Sequence, residues 1–101
     1  MNIQELKIRP NYLYDILSGK KSFEVRKNDR DFKVGDTLLL KEWDNDFTGL
    51  EVSYLVTYIL DNPEYIKEDF IVMGIEPLDR MKSKRLFEEW DIIHKENVVN
   101  G

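Results

Sequence analysis

The chain contains no cysteine, which excludes disulfides, zinc–thiolate sites and thiol nucleophiles. That absence suits a reducing compartment, and a cytoplasmic location is expected. Histidine is almost as scarce. His94 stands alone and supplies neither a metal site nor a catalytic triad by itself. It reads as a surface residue on a C-terminal helix, and no metal or cofactor is expected. Long hydrophobic runs are missing too. None approaches the roughly 20 residues that a membrane span needs. The opening residues MNIQELKIRP have no apolar h-region, so neither membrane association nor a signal peptide is expected. Proline is limited to three positions, and no linker, repeat or low-complexity tract divides the chain. A split of 101 residues would leave each half too small for a core, so residues 1–101 read as one domain.

What is present is charge, unevenly spread. The formal net charge is −5. From Gly19 to Gly35, six basic residues face three acidic ones. That segment carries +3 and leaves −8 on the rest. A basic patch on an acidic body fits one defined anionic ligand better than non-specific duplex binding. An ordinary solvated turn accounts for the same pattern equally well.

Ile3 to Ile8 alternates and predicts a first strand. Pro10 suits the first position of a helix. Leu13, Ile16 and Leu17 form one apolar face, and Gly19 supplies a left-handed C-cap, giving a helix over Asn11–Ser18. Ser22 to Lys27 predicts a strand with Phe23 and Val25 toward the core and Ser22, Glu24 and Arg26 toward a cleft or solvent. Val34-Gly35-Asp36 turns into a strand, Thr37–Trp43, whose three leucines imply burial on both faces. Asp44 to Gly49 reads as a hairpin loop; its calcium-like spacing lacks the glutamate at position twelve. Leu50 to Leu60 is a strand long enough to bend around a barrel. Phe70 to Ile75 is the last strand, ahead of Pro77. Leu86, Phe87, Trp90 and Ile93 mark one amphipathic helix over about residues 80–96, capped by Asp79 or Ser83. Intramolecular packing of that stripe, in a monomer, is favoured over an oligomer or a partner contact. The predicted fold is α+β and mainly β. It is a small, mostly antiparallel, five-stranded barrel with a helix after the first strand and another at the end, its core at about residues 3–78.

Gly19-x-Lys21-x-x-Glu24-x-Arg26 resembles the GxKxxExR signature of ASCH domains, whose fold is a PUA-like β-barrel. The wider run from Glu5 to Asp44 resembles an ASCH-like family of unknown function found in phage and bacterial genomes. The segments VTYIL and GIEPL extend the resemblance to Leu78 and leave the C-terminal helix outside it. Gln4 stands where members of that family often carry histidine, so no role for that histidine is carried over. The resemblance implies a cleft at the helix–strand junction and the binding of RNA or a modified nucleobase. A relative of the fold hydrolyses N4-acetylcytidine with a lysine, a threonine and a glutamate. Lys21 matches the lysine, Glu24 occupies the threonine position, and Glu64 or Glu68 are the nearest candidates for the glutamate.

The expected ligand contacts are therefore Lys20, Lys21, Ser22, Glu24, Arg26 and Arg30. On one strand face the Cα atoms of Glu24 and Arg26 lie about 6 to 7 Å apart. The guanidinium can grip a phosphate or a carbonyl edge, and the carboxylate can accept from an exocyclic amine. Trp43 and Tyr14 are candidate stacking platforms, although Trp43 suits the core better. An ion-pair network bracing the junction explains the same spacing. Three readings follow: a module binding RNA or a nucleotide, a small amidohydrolase using Lys21 and Glu24, and a phage or host interaction protein using the C-terminal stripe. The first is preferred, and enzyme activity is not the leading expectation.

Overall fold

A computed structural model describes residues 2–100, with side chains as far as Lys95. Strand β1 (Ile3–Ile8) leads into helix α1 (Pro10–Leu17). Pro10 opens α1, where a missing N–H costs nothing. Gly19 ends it at φ +86°, a backbone region that favours glycine. That reversal lets the Lys21 amide donate to the Asp15 carbonyl, so β2 (Phe23–Lys27) starts directly beside the end of α1.

Strands β3 (Thr37–Trp43), β4 (Phe47–Leu60) and β5 (Phe70–Pro77) follow, then helices α2 (Arg80–Glu88) and α3 (Trp90–Asn100). The sheet order is β1-β3-β4-β5-β2. Among the described residues only β1 and β3 run parallel, and the other three pairings are antiparallel. This is the expected mostly antiparallel α+β arrangement, curled into a half-barrel. The bend expected in the long strand is present. Pairing of β4 with β5 shifts between Val56 and Tyr58, leaving Thr57 as the extra residue.

Leu6, Leu38, Leu40, Val52, Val56, Ile71 and Met73 form the inner layer of the sheet, and Leu13, Ile16 and Leu17 of α1 complete the core. Leu86 joins it from α2, with Phe87, Trp90 and Ile93 packed against it. The C-terminal stripe thus covers its own chain's core.

Four expectations need correction. Phe23 and Val25 are 43% and 49% exposed, whereas Glu24 is 3% exposed. Strand β2 therefore faces the other way. Glu24 and Arg26 pair with Met73 and Ile71 on the inner face, because a fully paired carboxylate can occupy the inside of a strand. Leu39 is only half-buried between fully buried Leu38 and Leu40, so β3 has one buried face rather than two. The expected hairpin loop is shorter, because β4 resumes at Phe47. Finally, the C-terminal segment is two helices, broken at Glu89.

Candidate functional site

Glu24 is the centre of the site. Its Oε1 accepts from Lys21 Nζ at 2.8 Å and its Oε2 from Arg26 Nε at 2.9 Å. Both oxygens are matched to charged donors, which is what a buried carboxylate requires. Lys21 and Glu24, the pair of the hydrolase reading, are thus brought together. The ammonium of Lys21 also sits 4.9 Å from the centre of the Tyr12 ring and 5.5 Å from that of Phe23. These are favourable cation–π distances.

Two clefts flank this ion array. The first, of about 370 Å³, lies at the predicted junction of α1 and β2. Lys21 and Ser22 line its mouth, and Leu17, Ile75 and Phe87 form its apolar surface. Helix α2 walls it from the other side with Arg80, Ser83 and Lys84. The second cleft, of about 380 Å³, follows the gap between β1 and β2. Lys7, Arg26, Arg30 and Lys41 line it with Glu5 and Phe47, four cations to one carboxylate. Arg26 Nη2 donates to the Lys7 carbonyl at 2.7 Å, and Arg30 Nη1 donates to the Glu5 carbonyl. Two side chains thereby bridge a gap that the backbone ladder leaves open.

The predicted contacts therefore divide between the two clefts. Lys21 and Ser22 belong to the first, Arg26 and Arg30 to the second, and Glu24 ties one to the other. Lys20 is exposed and lines neither. Glu64 and Glu68 are exposed on the β4–β5 loop and also line neither. Tyr14 is occupied by a tilted contact to Phe87 and an edge contact to Trp90. Trp43 is half-buried, with Lys7 Nζ 3.9 Å over its ring. Chemically the site holds hydroxyls and cations suited to an anion. The side chains lining the first cleft include no histidine to activate Ser22.

Residues 3–75 match the family described as a domain of unknown function, DUF3850. The chain belongs to that family. It is also 39% identical over 72 residues to an uncharacterised 12.9 kDa protein of the GpA 3′ region in Escherichia phage P2. That alignment covers 70% of the chain and 65% of the phage protein, slightly under two thirds of the relative's length. The DUF3850 match includes the whole ion array and stops before α2, so the α2 wall of the first cleft lies outside it.

Sequence reasoning missed three groups. Ser83 is 3% exposed and its Oγ has no hydrogen-bond partner. It precedes Leu86 by three residues and Phe87 by four, so its place on the apolar face was a readable signal. Tyr54, on β4, is buried and lines the first cleft. Burial raises its phenol pKa, and the nearby Ser83 hydroxyl offsets part of that rise without reaching hydrogen-bond geometry. The third group corrects the surface reading of His94. Its Nε2 lies 2.7 Å from Oε2 of fully buried Glu42, and its Nδ1 lies 2.8 Å from the Trp90 carbonyl. Thr48 Oγ1 donates to the other Glu42 oxygen at 2.7 Å. Glu42 shares the inward register of Leu38 and Leu40, where an acid demands a partner.

Proposed function

We propose that this DUF3850 domain binds single-stranded RNA or a nucleotide through the two clefts beside Glu24, and that its half-barrel is of the PUA-like, ASCH type. The Gly19–Arg26 signature supports that placement. One observation carries the functional reading: a single buried carboxylate fixes Lys21 at one cleft and Arg26 at the other. Cations held in place lose less freedom when a phosphate arrives than free surface lysines would. Arg26 and Arg30 present further N–H donors beyond those used on β1, and a guanidinium matches phosphate geometry. The +3 segment on a chain of net charge −5 concentrates the attraction at the clefts.

The test is titration of short single-stranded RNAs and mononucleotides into the protein at several salt concentrations. Lys21→Gln keeps an amide to contact Glu24 and removes one charge, and Arg30→Gln removes another. Each should weaken binding and lower the log–log salt slope by about one. Absence of binding to RNA and mononucleotides alike at low salt rejects the reading.

A further inference from the structure

Ser83 presents an anomaly. Its hydroxyl is buried on α2 with no partner among the described residues. A buried polar atom without a hydrogen bond is destabilising, and native proteins carry few of them. This one lines the first cleft, beside the phenol of Tyr54. The cost is recovered if a ligand supplies the missing partner.

The surroundings narrow the chemistry. Leu17, Ile75 and Phe87 offer an apolar surface to a flat body. Arg80 and Lys84 stand on the exposed side of α2. Arg80 reaches Glu76 only at 4.0 Å, and among the described residues Lys84 has no carboxylate partner. The volume, about 370 Å³, lies at the lower end for small-molecule sites. With α1 on one side and α2 on the other, the cleft suits one compact unit rather than a strand passing through.

We propose that the cleft between α1 and α2 takes a single nucleoside monophosphate, with Ser83 and Tyr54 hydrogen-bonding the edge of its base and Arg80 and Lys84 holding its phosphate. This rests on the nucleotide binding proposed above and assigns its selectivity to α2, a helix beyond the DUF3850 match. An apolar pocket with a few well-placed hydroxyls discriminates strongly, because an analogue that leaves them unpaired forfeits a buried hydrogen bond.

The experiment is calorimetric titration of the full chain with the 5′-monophosphates of cytidine, uridine, adenosine and guanosine. Inorganic phosphate and the uncharged nucleosides serve as partial probes, and a short oligouridylate runs in parallel. At least one monophosphate should bind more tightly than both its nucleoside and inorganic phosphate. Ser83→Ala should weaken that binding about tenfold. Its melting temperature should hold or rise, since the variant deletes an unpaired buried hydroxyl. Lys84→Gln should weaken the monophosphate and leave its nucleoside unaffected. Unchanged affinity in Ser83→Ala overturns the proposal, as does inorganic phosphate binding as tightly as every nucleotide. Binding of the oligouridylate without any monophosphate also overturns it, while leaving the broader RNA reading intact. If neither binds, both fall.

Discussion

Glu24 turns an ordinary strand into an organised site, because an ionised carboxylate inside a half-barrel survives only while both oxygens are matched. Glu24→Ala leaves Lys21 and Arg26 facing each other without a countercharge. The expected loss is about 3 kcal/mol, the low end for breaking a buried pair. Glu24→Gln should lose less, since its amide oxygen still accepts. Denaturant titration of the three proteins checks the order, and coincident curves would show that the array contributes nothing to stability. Tyr54 makes a second prediction at this scale. Burial favours its neutral phenol, so its folded-state pKa lies above the unfolded value of about 10. The folded chain then holds its proton longer than the unfolded chain. The stabilisation is complete below about pH 10 and is lost as pH climbs through the raised folded value. Tyr54→Phe has no phenolic proton to lose. Its melting temperature should fall less steeply at alkaline pH than that of the unsubstituted chain, and parallel profiles would contradict the assignment. The sequence made half of this arrangement legible. Alternation put Glu24 and Arg26 on one face, as found, but the apolar rule turned Phe23 and Val25 inward. The rule failed because the ion array, not the apolar pair, had the partners waiting inside.

Among the elements, α3 depends on a contact that sequence spacing cannot show. His94 and Glu42 are 52 positions apart. The two His94 nitrogens both face acceptors, the Trp90 carbonyl and the Glu42 carboxylate. The imidazole also stacks on Trp90, 3.8 Å between ring centres, which fixes its direction. His94→Ala strands Glu42 with only the Thr48 hydroxyl, at a cost of about 3 kcal/mol. Pairing that change with Glu42→Gln in a double-mutant cycle should recover part of the loss, because the stranded charge is gone. Strictly additive losses would mean that the two side chains do not support each other. The apolar stripe through Leu86, Trp90 and Ile93 was readable from helical spacing. The break at Glu89 was not, since Glu88 and Glu89 are both good helix formers and carry no stop signal. The second irregularity of β4 is similarly local. Gly49 sits at φ +93° where the β3–β4 register shifts, and the neighbouring Thr48 hydroxyl donates to Glu42. The sequence showed only a polar loop there.

Across the whole molecule, the strand order leaves β1 and β2 as the two free edges, and unpaired edges invite pairing with another chain. This fold blunts them with Arg26 and Arg30, whose guanidinium groups occupy the β1 carbonyls of Lys7 and Glu5. A sequence reading can give the number of strands and their alternation. It cannot give this closure, because the closure depends on which strands end up as neighbours, and β1 pairs with β3 rather than with β2. The same two arginines were expected as ligand contacts, Arg26 from strand alternation and the signature and Arg30 from the basic segment, and the geometry gives them a second task. Each guanidinium carries five N–H donors, so occupying a carbonyl leaves others for a phosphate. Arg30 is the better probe of the edge, because Arg26 also serves Glu24. Arg30→Ala frees the Glu5 carbonyl without touching the buried array. It should leave the melting temperature nearly unchanged, as exposed contacts contribute little. Self-association should increase with concentration, seen by sedimentation as a mass above that of the unsubstituted chain. Arg30→Lys keeps the charge but loses the planar fork, so an intermediate mass would assign the protection to hydrogen bonding as well as repulsion. Identical masses for all three chains would show that the edge needs no guard at this position and that Arg30 serves the cleft alone.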